Sequence, residues 1–174
     1  MINRVEKGIC LSEKDILPVI EVGKITKEDI FEKFGFDYRP IVIERLRHWN
    51  NLPEGHKLKF LDRAELHEGS SGLYLLEEIV GNSWVFVQAM LENGISTEHK
   101  HEDPVIELYD PLAGQSSLNV DGVGQELNPG IPFEVLSGQV HFLKTENKPS
   151  LNLLIMKNSA DIPRNKLHIP AKYK

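Results

Sequence analysis

From residue 72 onward, the chain reads as a succession of short β-strands separated by turn residues. The runs GLYLLEEIV and SWVFVQAML are rich in β-branched and aromatic residues, and Gly81-Asn82 between them is a strong hairpin signal. Further turns are predicted at Asp121-Gly122 and at residues 128–130, which read NPG. Short strands with turn residues about every 8–12 positions are typical of an all-β sandwich or barrel. We therefore predict a mainly β fold for this part of the chain.

Residues 1–69 have a different character, because helical signals are common there. In ITKEDIFEKFG, Thr26 is a candidate N-cap and Gly35 is a candidate helix terminator. The following PIVIERL is β-branched enough to predict a strand from Ile41 to Glu44. FLDRAEL, which begins at Phe60, predicts a short helix. The predicted fold class is mainly β with an α-containing N-terminal extension.

With 174 residues and 40% apolar side chains, the chain is long enough to bury a core of its own. We divide it into an α/β extension at residues 1–69 that packs on the barrel, a β-barrel at residues 70–158 and a tail at residues 159–174. Cys10 is the only cysteine, which excludes an intrachain disulfide and a cysteine-ligated zinc site.

Charge and hydropathy bear on the partners and the location of the protein. The formal net charge of -6 argues against a nucleic-acid partner, because phosphate-binding surfaces need a clustered basic excess. No stretch has the apolar run of a signal peptide or of a membrane span. We predict a cytoplasmic protein that acts without nucleic acid and without a membrane.

Two of the seven histidines, His99 and His101, lie one residue apart in GISTEHKHEDPVIELYDPLAG. Alternate side chains of a strand face the same side, so these two imidazoles would lie roughly 6–7 Å apart along one wall. Glu107 and Tyr109 have the same parity, provided that Pro104 does not break the strand. Imidazole and carboxylate groups on one wall are suitable ligands for a divalent metal.

A His-x-His pair alone is weak support for a metal site, because composition by itself produces such pairs. His141 adds to it, since it occurs in SGQVHFLK, a predicted strand that could pack beside the first. Three convergent histidines with an acid indicate a metal site. The remaining histidines lack such a pattern and are predicted to lie at the surface: His48, His56, His67 and His168.

The residues from Gly94 to Gly114 resemble the first motif of the cupin superfamily, which consists of Gly, His-x-His, Glu, six residues and Gly. PGIPFEVLSGQVH is similar to the second motif, in which a Pro-Gly turn precedes the third histidine. The resemblance spans about residues 72–156. It implies a single cupin-type barrel, a jelly roll or double-stranded β-helix, with one divalent metal ion inside. The implied ligands are His99, His101, Glu107 and His141.

The chain departs from the cupin pattern in three places. Five residues, rather than the usual three or four, separate His101 from Glu107. Leu136 stands where the second motif has proline, and Thr145 stands where that motif often ends in asparagine. The longer gap bears directly on whether Glu107 is a ligand.

The resemblance also suggests roles for Tyr109 and Gly114. Tyr109 would project into the metal cavity, either as part of the core or as a catalytic group that moves a proton or holds a substrate. Gly114 would permit the tight turn that follows the strand.

Two narrower resemblances point to different chemistry. ELYDPLAG is similar to the segment after the metal histidines in cupin lyases that cleave dimethylsulfoniopropionate (DMSP), where glutamate and tyrosine serve the site. DYRPIVIERLRHWNNLP resembles a strand of Jumonji-C-like oxygenases, which bind iron through His-x-Asp and a distant histidine. In that alignment His101, Asp103 and His141 form the triad. The carboxylate ligand therefore stays open between Asp103 and Glu107.

Together, the motifs favour a single-metal enzyme that acts on a small organic molecule, and an iron-dependent oxygenase of the dioxygenase kind is the leading hypothesis. The same ligands would serve a lyase or isomerase, or a cupin that binds a metal or small molecule without turnover. Iron is the favoured metal, and manganese, nickel or zinc also suit these ligands. Barrel-edge strands and the N-terminal arm also favour a homodimer.

Overall fold

The computed structural model describes residues 24–49, 51–66 and 71–158. Within those ranges, two helices precede nine strands. The helices are α1 (Lys27–Phe34) and α2 (Arg39–His48). The strands are β1 (Glu65–Leu66), β2 (Gly72–Val80), β3 (Ser83–Met90), β4 (Val105–Gly114), β5 (Ser116–Val120), β6 (Val123–Leu127), β7 (Phe133–Val135), β8 (His141–Lys144) and β9 (Ser150–Asn158).

The strands form two antiparallel sheets that pack against each other. The six-stranded sheet has the order β1-β2-β3-β9-β4-β7, and the three-stranded sheet has the order β6-β5-β8. Single bridges from Ile95 to Lys144 and from His99 to His141 place the chain ahead of β4 beside β8. The mainly β architecture is as predicted. Both sheets contribute to the core between them, which includes Trp84, Phe86, Tyr109, Leu118, Leu143 and Leu154.

Strand β3 is buried along its whole length, which explains why its sequence, SWVFVQAM, is mostly apolar and does not alternate between apolar and polar residues. On one face, Trp84 and Phe86 point into the core between the sheets. On the other face, Val85 and Val87 belong to a second core, which the two helices cover. The helices therefore lie on the outer face of the six-stranded sheet.

Helix α1 begins and ends where the sequence predicts. Thr26 and Asp29 form a capping box, in which each side chain accepts a hydrogen bond from the backbone of the other residue. Gly35 ends the helix with a left-handed backbone, at φ 79°. Ile30 is buried against the sheet. The helical prediction for this segment is confirmed.

The strand predicted at Ile41 to Glu44 is wrong, because these residues lie inside helix α2. Pro40 suits the first turn of a helix, where a missing N–H leaves no hydrogen bond unmade. Val42 and Leu46, one turn apart, are both buried against the sheet. Packing of this helical face outweighs the β preference of the branched residues.

The short helix predicted from Phe60 is also wrong, because the segment is extended. The Leu61 N–H donates to the Leu75 carbonyl at 2.9 Å, and Glu65–Leu66 pairs with β2 as an edge strand. Backbone groups of this segment form hydrogen bonds with the edge of β2, and the segment is therefore extended instead of helical.

The predicted turns are confirmed at Gly81, Gly122 and Gly130, which have φ values of 61°, 84° and 83°. Such positive values suit glycine. Among the described residues, no helix has the length and apolar character that crossing a bilayer requires.

Candidate metal centre

Three segments bring the candidate ligands together. His99 and His101 lie on the chain ahead of β4, His141 begins β8, and Glu107 is on the inner face of β4. His99 and His141 lie directly opposite each other, and each backbone N–H donates to the other's carbonyl, at 3.0 and 2.8 Å. A turn at Asp103 and Pro104 separates the histidine pair from β4.

The four side chains form one compact group. The potential ligand atoms of His99, His101, Glu107 and His141 all lie within 4.8 Å of one another. The three imidazole centroids are 4.3 to 5.2 Å apart. Glu107 is 4% exposed and His141 is fully buried, so the group lies inside the barrel with His99 and His101 toward its rim.

Backbone carbonyls orient two of the imidazole rings. His99 Nδ1 lies 2.8 Å from the Thr97 carbonyl oxygen, and His141 Nδ1 lies 3.0 Å from that of Gln139. A carbonyl only accepts, so Nδ1 carries the hydrogen in both rings. This arrangement directs Nε2 toward the group, as in many metal-binding histidines.

The carboxylate of Glu107 is the electrostatic centre of the group. His101 Nε2 and His141 Nε2 lie 3.0 and 2.8 Å from Glu107 Oε2. Burial alone would raise the pKa of the Glu107 carboxyl, but the hydrogen bonds from the two histidines outweigh burial and hold that pKa well below its usual range. The carboxylate is therefore ionised.

The same charge acts on the histidines. Burial opposes protonation of His141, yet the hydrogen bond to the Glu107 carboxylate raises the pKa of that imidazole. For His99 burial is the larger effect and lowers the pKa, which Glu107 offsets only in part. His99 is thus neutral, the state in which an imidazole binds a metal.

The donor set fits a divalent metal. Bonds of about 2.1 Å hold the ligand atoms of an octahedral ion roughly 3.0 to 4.2 Å apart. The 4.8 Å spread of this group requires only a small contraction. Three imidazoles and one carboxylate could therefore hold the ion, which would replace the hydrogens now shared between the rings and Glu107.

Tyr109 lies beside this group on the inner face of β4. It is 3% exposed, and its ring centroid is 6.2 Å from that of His141. Burial raises the pKa of the Tyr109 hydroxyl well above its usual value, and the neighbouring Glu107 carboxylate raises it further. The hydroxyl is therefore protonated in the metal-free arrangement and could donate a hydrogen bond or a proton.

Asp103, the alternative carboxylate, lies outside the group. It is exposed, and its carboxylate accepts a hydrogen bond from Ser137 Oγ at 3.3 Å. His48 is exposed, and His56 is half-buried with its Nε2 3.2 Å from Glu78 Oε1. His67 and His168 lie outside the described residues.

Two residues support the site although sequence reasoning gave them no such role. Thr145, at the usual asparagine position, accepts from the Gly94 N–H at 2.9 Å and donates to the Leu91 carbonyl, which secures the start of the histidine segment. Asp110, next to Tyr109, is 1% exposed and faces the opposite side of β4, where Arg45 and Trp49 bind it. An acid inside the buried run VIELYDPL was the available signal for Asp110.

Comparison with solved structures bears on the fold. A predicted oxalate decarboxylase from Thermotoga maritima matches with a TM-score of 0.51 and 15% sequence identity, over 59% of this chain and 99% of that chain. A Cupin 2 conserved barrel domain protein from Salinispora arenicola matches with a TM-score of 0.50 and 15% identity, over 61% of this chain and 92% of that chain.

Structures of DMSP lyases match with a TM-score of 0.42 and 20% identity, over 47% of this chain and 41% of that chain. A match at this level does not indicate the function of this chain. No family model matches the sequence, and no curated protein matches it. The two matches at TM-scores of 0.50 and 0.51 each cover about three-fifths of this chain and more than nine-tenths of the neighbouring chain, and one of them is a Cupin 2 barrel domain protein. The chain therefore has the cupin fold, as its two histidine-bearing motifs predicted.

Proposed function

We propose that this protein is a metal-dependent enzyme that acts on a small organic molecule inside the barrel. The observation that carries the proposal is the convergence of His99, His101, Glu107 and His141 within 4.8 Å. A buried carboxylate with three imidazoles is a costly arrangement to maintain in a barrel core, and perturbed groups of this kind concentrate at functional sites.

Each ligand has its own task in this proposal. The three imidazoles would hold the ion, and Glu107 would supply the negative charge that partly neutralises it. The carbonyls of Thr97 and Gln139 keep the rings of His99 and His141 in the binding tautomer.

Within this class we propose an iron-dependent oxygenase. Bound iron would supply a redox-active centre and open positions for the substrate. The ligand set also suits manganese, nickel or zinc, so the reaction class and the metal must be determined together. The protein is further proposed to act without nucleic acid or membrane partners, and the homodimer and the cytoplasmic location stay predictions.

A lyase or isomerase is the second candidate, and Tyr109 favours it. Its hydroxyl is buried beside Glu107 and protonated, so it is placed to give a proton to a substrate bound in the barrel. This chemistry needs no redox-active metal.

The first experiment is elemental analysis of protein purified without chelator. Wild-type protein should hold about one metal ion per chain, whereas His99→Ala and His141→Ala should lose most of it, because the remaining ligands cannot complete the coordination sphere. His48→Ala is the matched control, since His48 is exposed at the end of helix α2 and is not part of the group. Equal metal content in all three variants and the wild type would refute the proposed site.

The second experiment separates the reaction classes with a panel of small organic acids and alcohols. An oxygenase consumes dioxygen in step with substrate, whereas a lyase or isomerase gives the same product under nitrogen. Tyr109→Phe should keep the metal and lower turnover by roughly 10²-fold or more if the hydroxyl transfers a proton. Ligand binding with no chemical change across the panel would instead support the non-catalytic cupin.

A further inference from the structure

A surface groove of about 520 Å³ lies between helix α2 and the segment at residues 52–60. None of the four proposed ligands lines it. Its apolar lining includes Ile43, Leu52, Leu58 and Phe60. The volume lies within the range of about 300–1,000 Å³ that is usual for small-molecule sites.

The charged lining of the groove is mainly cationic. Arg39, Arg47 and Lys57 line it, together with a single acid, Asp37. Asp37 holds Arg39 through Nη2 at 2.7 Å. The groove is therefore locally positive, although the whole chain has a formal net charge of -6.

Two of the cations are free to meet a ligand. Arg47 and Lys57 are exposed, and neither has an ion-pair partner within the described part of the chain. Arg47 lies one helical turn after Ile43, so α2 presents an apolar and a cationic side chain on the same face. The second wall is also held in place, because His56 on it contacts Glu78 at 3.2 Å.

We propose that this groove binds a small amphipathic anion. The apolar part of the ligand packs on Ile43, Leu52 and Leu58, and its charged head meets Arg47 and Lys57. An apolar lining alone would accept neutral molecules equally well, whereas two unpaired cations at the rim select an anion. The groove lies apart from the candidate metal centre, so this inference does not depend on the proposed function.

Titration with octanesulfonate tests the proposal, because a sulfonate is a poor metal ligand and so does not compete for the barrel. Backbone amide shifts in NMR spectra should change at Ile43 and Leu58 and not at Glu107. Binding should weaken as sodium chloride is raised, since exposed charges are screened. Octanol, the neutral analogue, should bind at least about fivefold more weakly.

Substitution of the cations completes the test. Arg47→Gln and Lys57→Gln should each weaken binding about three- to fivefold, and the double variant roughly tenfold or more. Lys148→Gln removes the same charge from an exposed loop residue outside the groove and should bind like the wild type. His99→Ala should also retain binding.

Three results would overturn the inference. Unchanged affinity in the double variant, or equal affinity for octanol, would show that charge has no role in binding. Loss of binding in His99→Ala would place the ligand outside the groove. A fourth contrary result is capture of the protein by vesicles of anionic lipid without any binding of octanesulfonate, which would indicate a membrane surface in place of a small molecule.

Discussion

At the residue scale, the turn at Asp103 and Pro104 separates two acids that lie four positions apart in the sequence. It leaves Asp103 exposed, whereas Glu107 is buried with its carboxylate 3.0 and 2.8 Å from two histidines. This difference decides which acid can reach an ion held by the imidazoles.

The first prediction concerns these two acids. Glu107→Gln should lower the bound metal roughly tenfold or more, because a neutral amide is a poorer ligand and no longer neutralises the cation. Asp103→Asn should bind metal like the wild type. Titration of the metal-free variants with Fe²⁺ or Mn²⁺ measures both affinities. The reverse order would support the Jumonji-like alignment.

Gly114 is a second residue whose identity follows from its surroundings. Its φ is 77°, and a Cβ at this position would lie 1.9 Å from the Pro149 carbonyl oxygen. Gly122 has a similar φ of 84°, but a Cβ there meets nothing within 4 Å. The two glycines therefore separate backbone strain from steric overlap.

We predict that Gly114→Ala lowers the free energy of unfolding by about 3 kcal/mol or more, since strain and overlap add. Gly122→Ala should lower it by about 1 kcal/mol, because only the strain applies. Urea unfolding of both variants gives the comparison. Equal losses in the free energy of unfolding would mean that the backbone at Pro149 moves away from the added methyl group without an energetic cost.

At the scale of elements, helix α2 is joined to strand β4 through a buried carboxylate. Arg45 Nε and Trp49 Nε1 lie 2.6 and 2.8 Å from Asp110 Oδ2. Asp110 is 1% exposed, so these contacts replace most of its hydration. The opposite face of β4 carries Glu107 and Tyr109. The contacts of Asp110 with Arg45 and Trp49 thus link the helix to the strand that bears the site.

We predict that Arg45→Met destabilises the protein by about 2–4 kcal/mol, because it leaves a buried charge with one hydrogen-bond donor. Arg47→Met, two positions away and exposed, should change stability by less than about 0.5 kcal/mol. Adding Asp110→Asn to Arg45→Met should recover part of the loss. Denaturant unfolding of the wild type, of Arg45→Met, of Asp110→Asn and of the double variant completes the cycle, and additive losses would argue against a coupling between Arg45 and Asp110.

At the scale of the whole molecule, the proposed metal would join the two sheets, since Glu107 belongs to the six-stranded sheet and His141 to the three-stranded sheet. An ion bound to the folded state alone stabilises that state by mass action. Its removal should therefore affect the stability of the whole barrel, beyond the local order of the site.

We predict that removal of metal with a chelator lowers the melting temperature by roughly 5–10 °C. At a metal concentration of 100 times Kd, binding stabilises the folded state by about 2.7 kcal/mol, which corresponds to this range of melting temperature for a chain of this size. Differential scanning calorimetry before and after re-addition of metal measures the shift. The His99→Ala variant should show no dependence on chelator, and a wild type that also shows none would contradict the proposed site.

The features that the sequence determined by itself are those encoded by neighbours along the chain. Glycine turns at Gly81 and Gly122, the capping box of α1 and the succession of short strands depend on local backbone preferences, so they could be predicted. The spacing of His99 and His101, with His141 in a later predicted strand, also indicated a shared site, although the first two histidines lie on the segment ahead of β4 and outside a regular strand.

Tertiary structure alone decided the features that depend on distant partners. The segment at Ile41 to Glu44 is helical because its buried face packs on a sheet whose strands begin more than twenty residues later. The alternation of side chains between the two faces of a strand does not continue through the turn ahead of β4. Only the fold therefore showed that Glu107, and not Asp103, lies beside the histidines. The bond between Arg45 and Asp110 spans 65 residues, and no local pattern encodes it. Local preferences are small, and the burial of whole faces, which requires the complete chain, outweighs them.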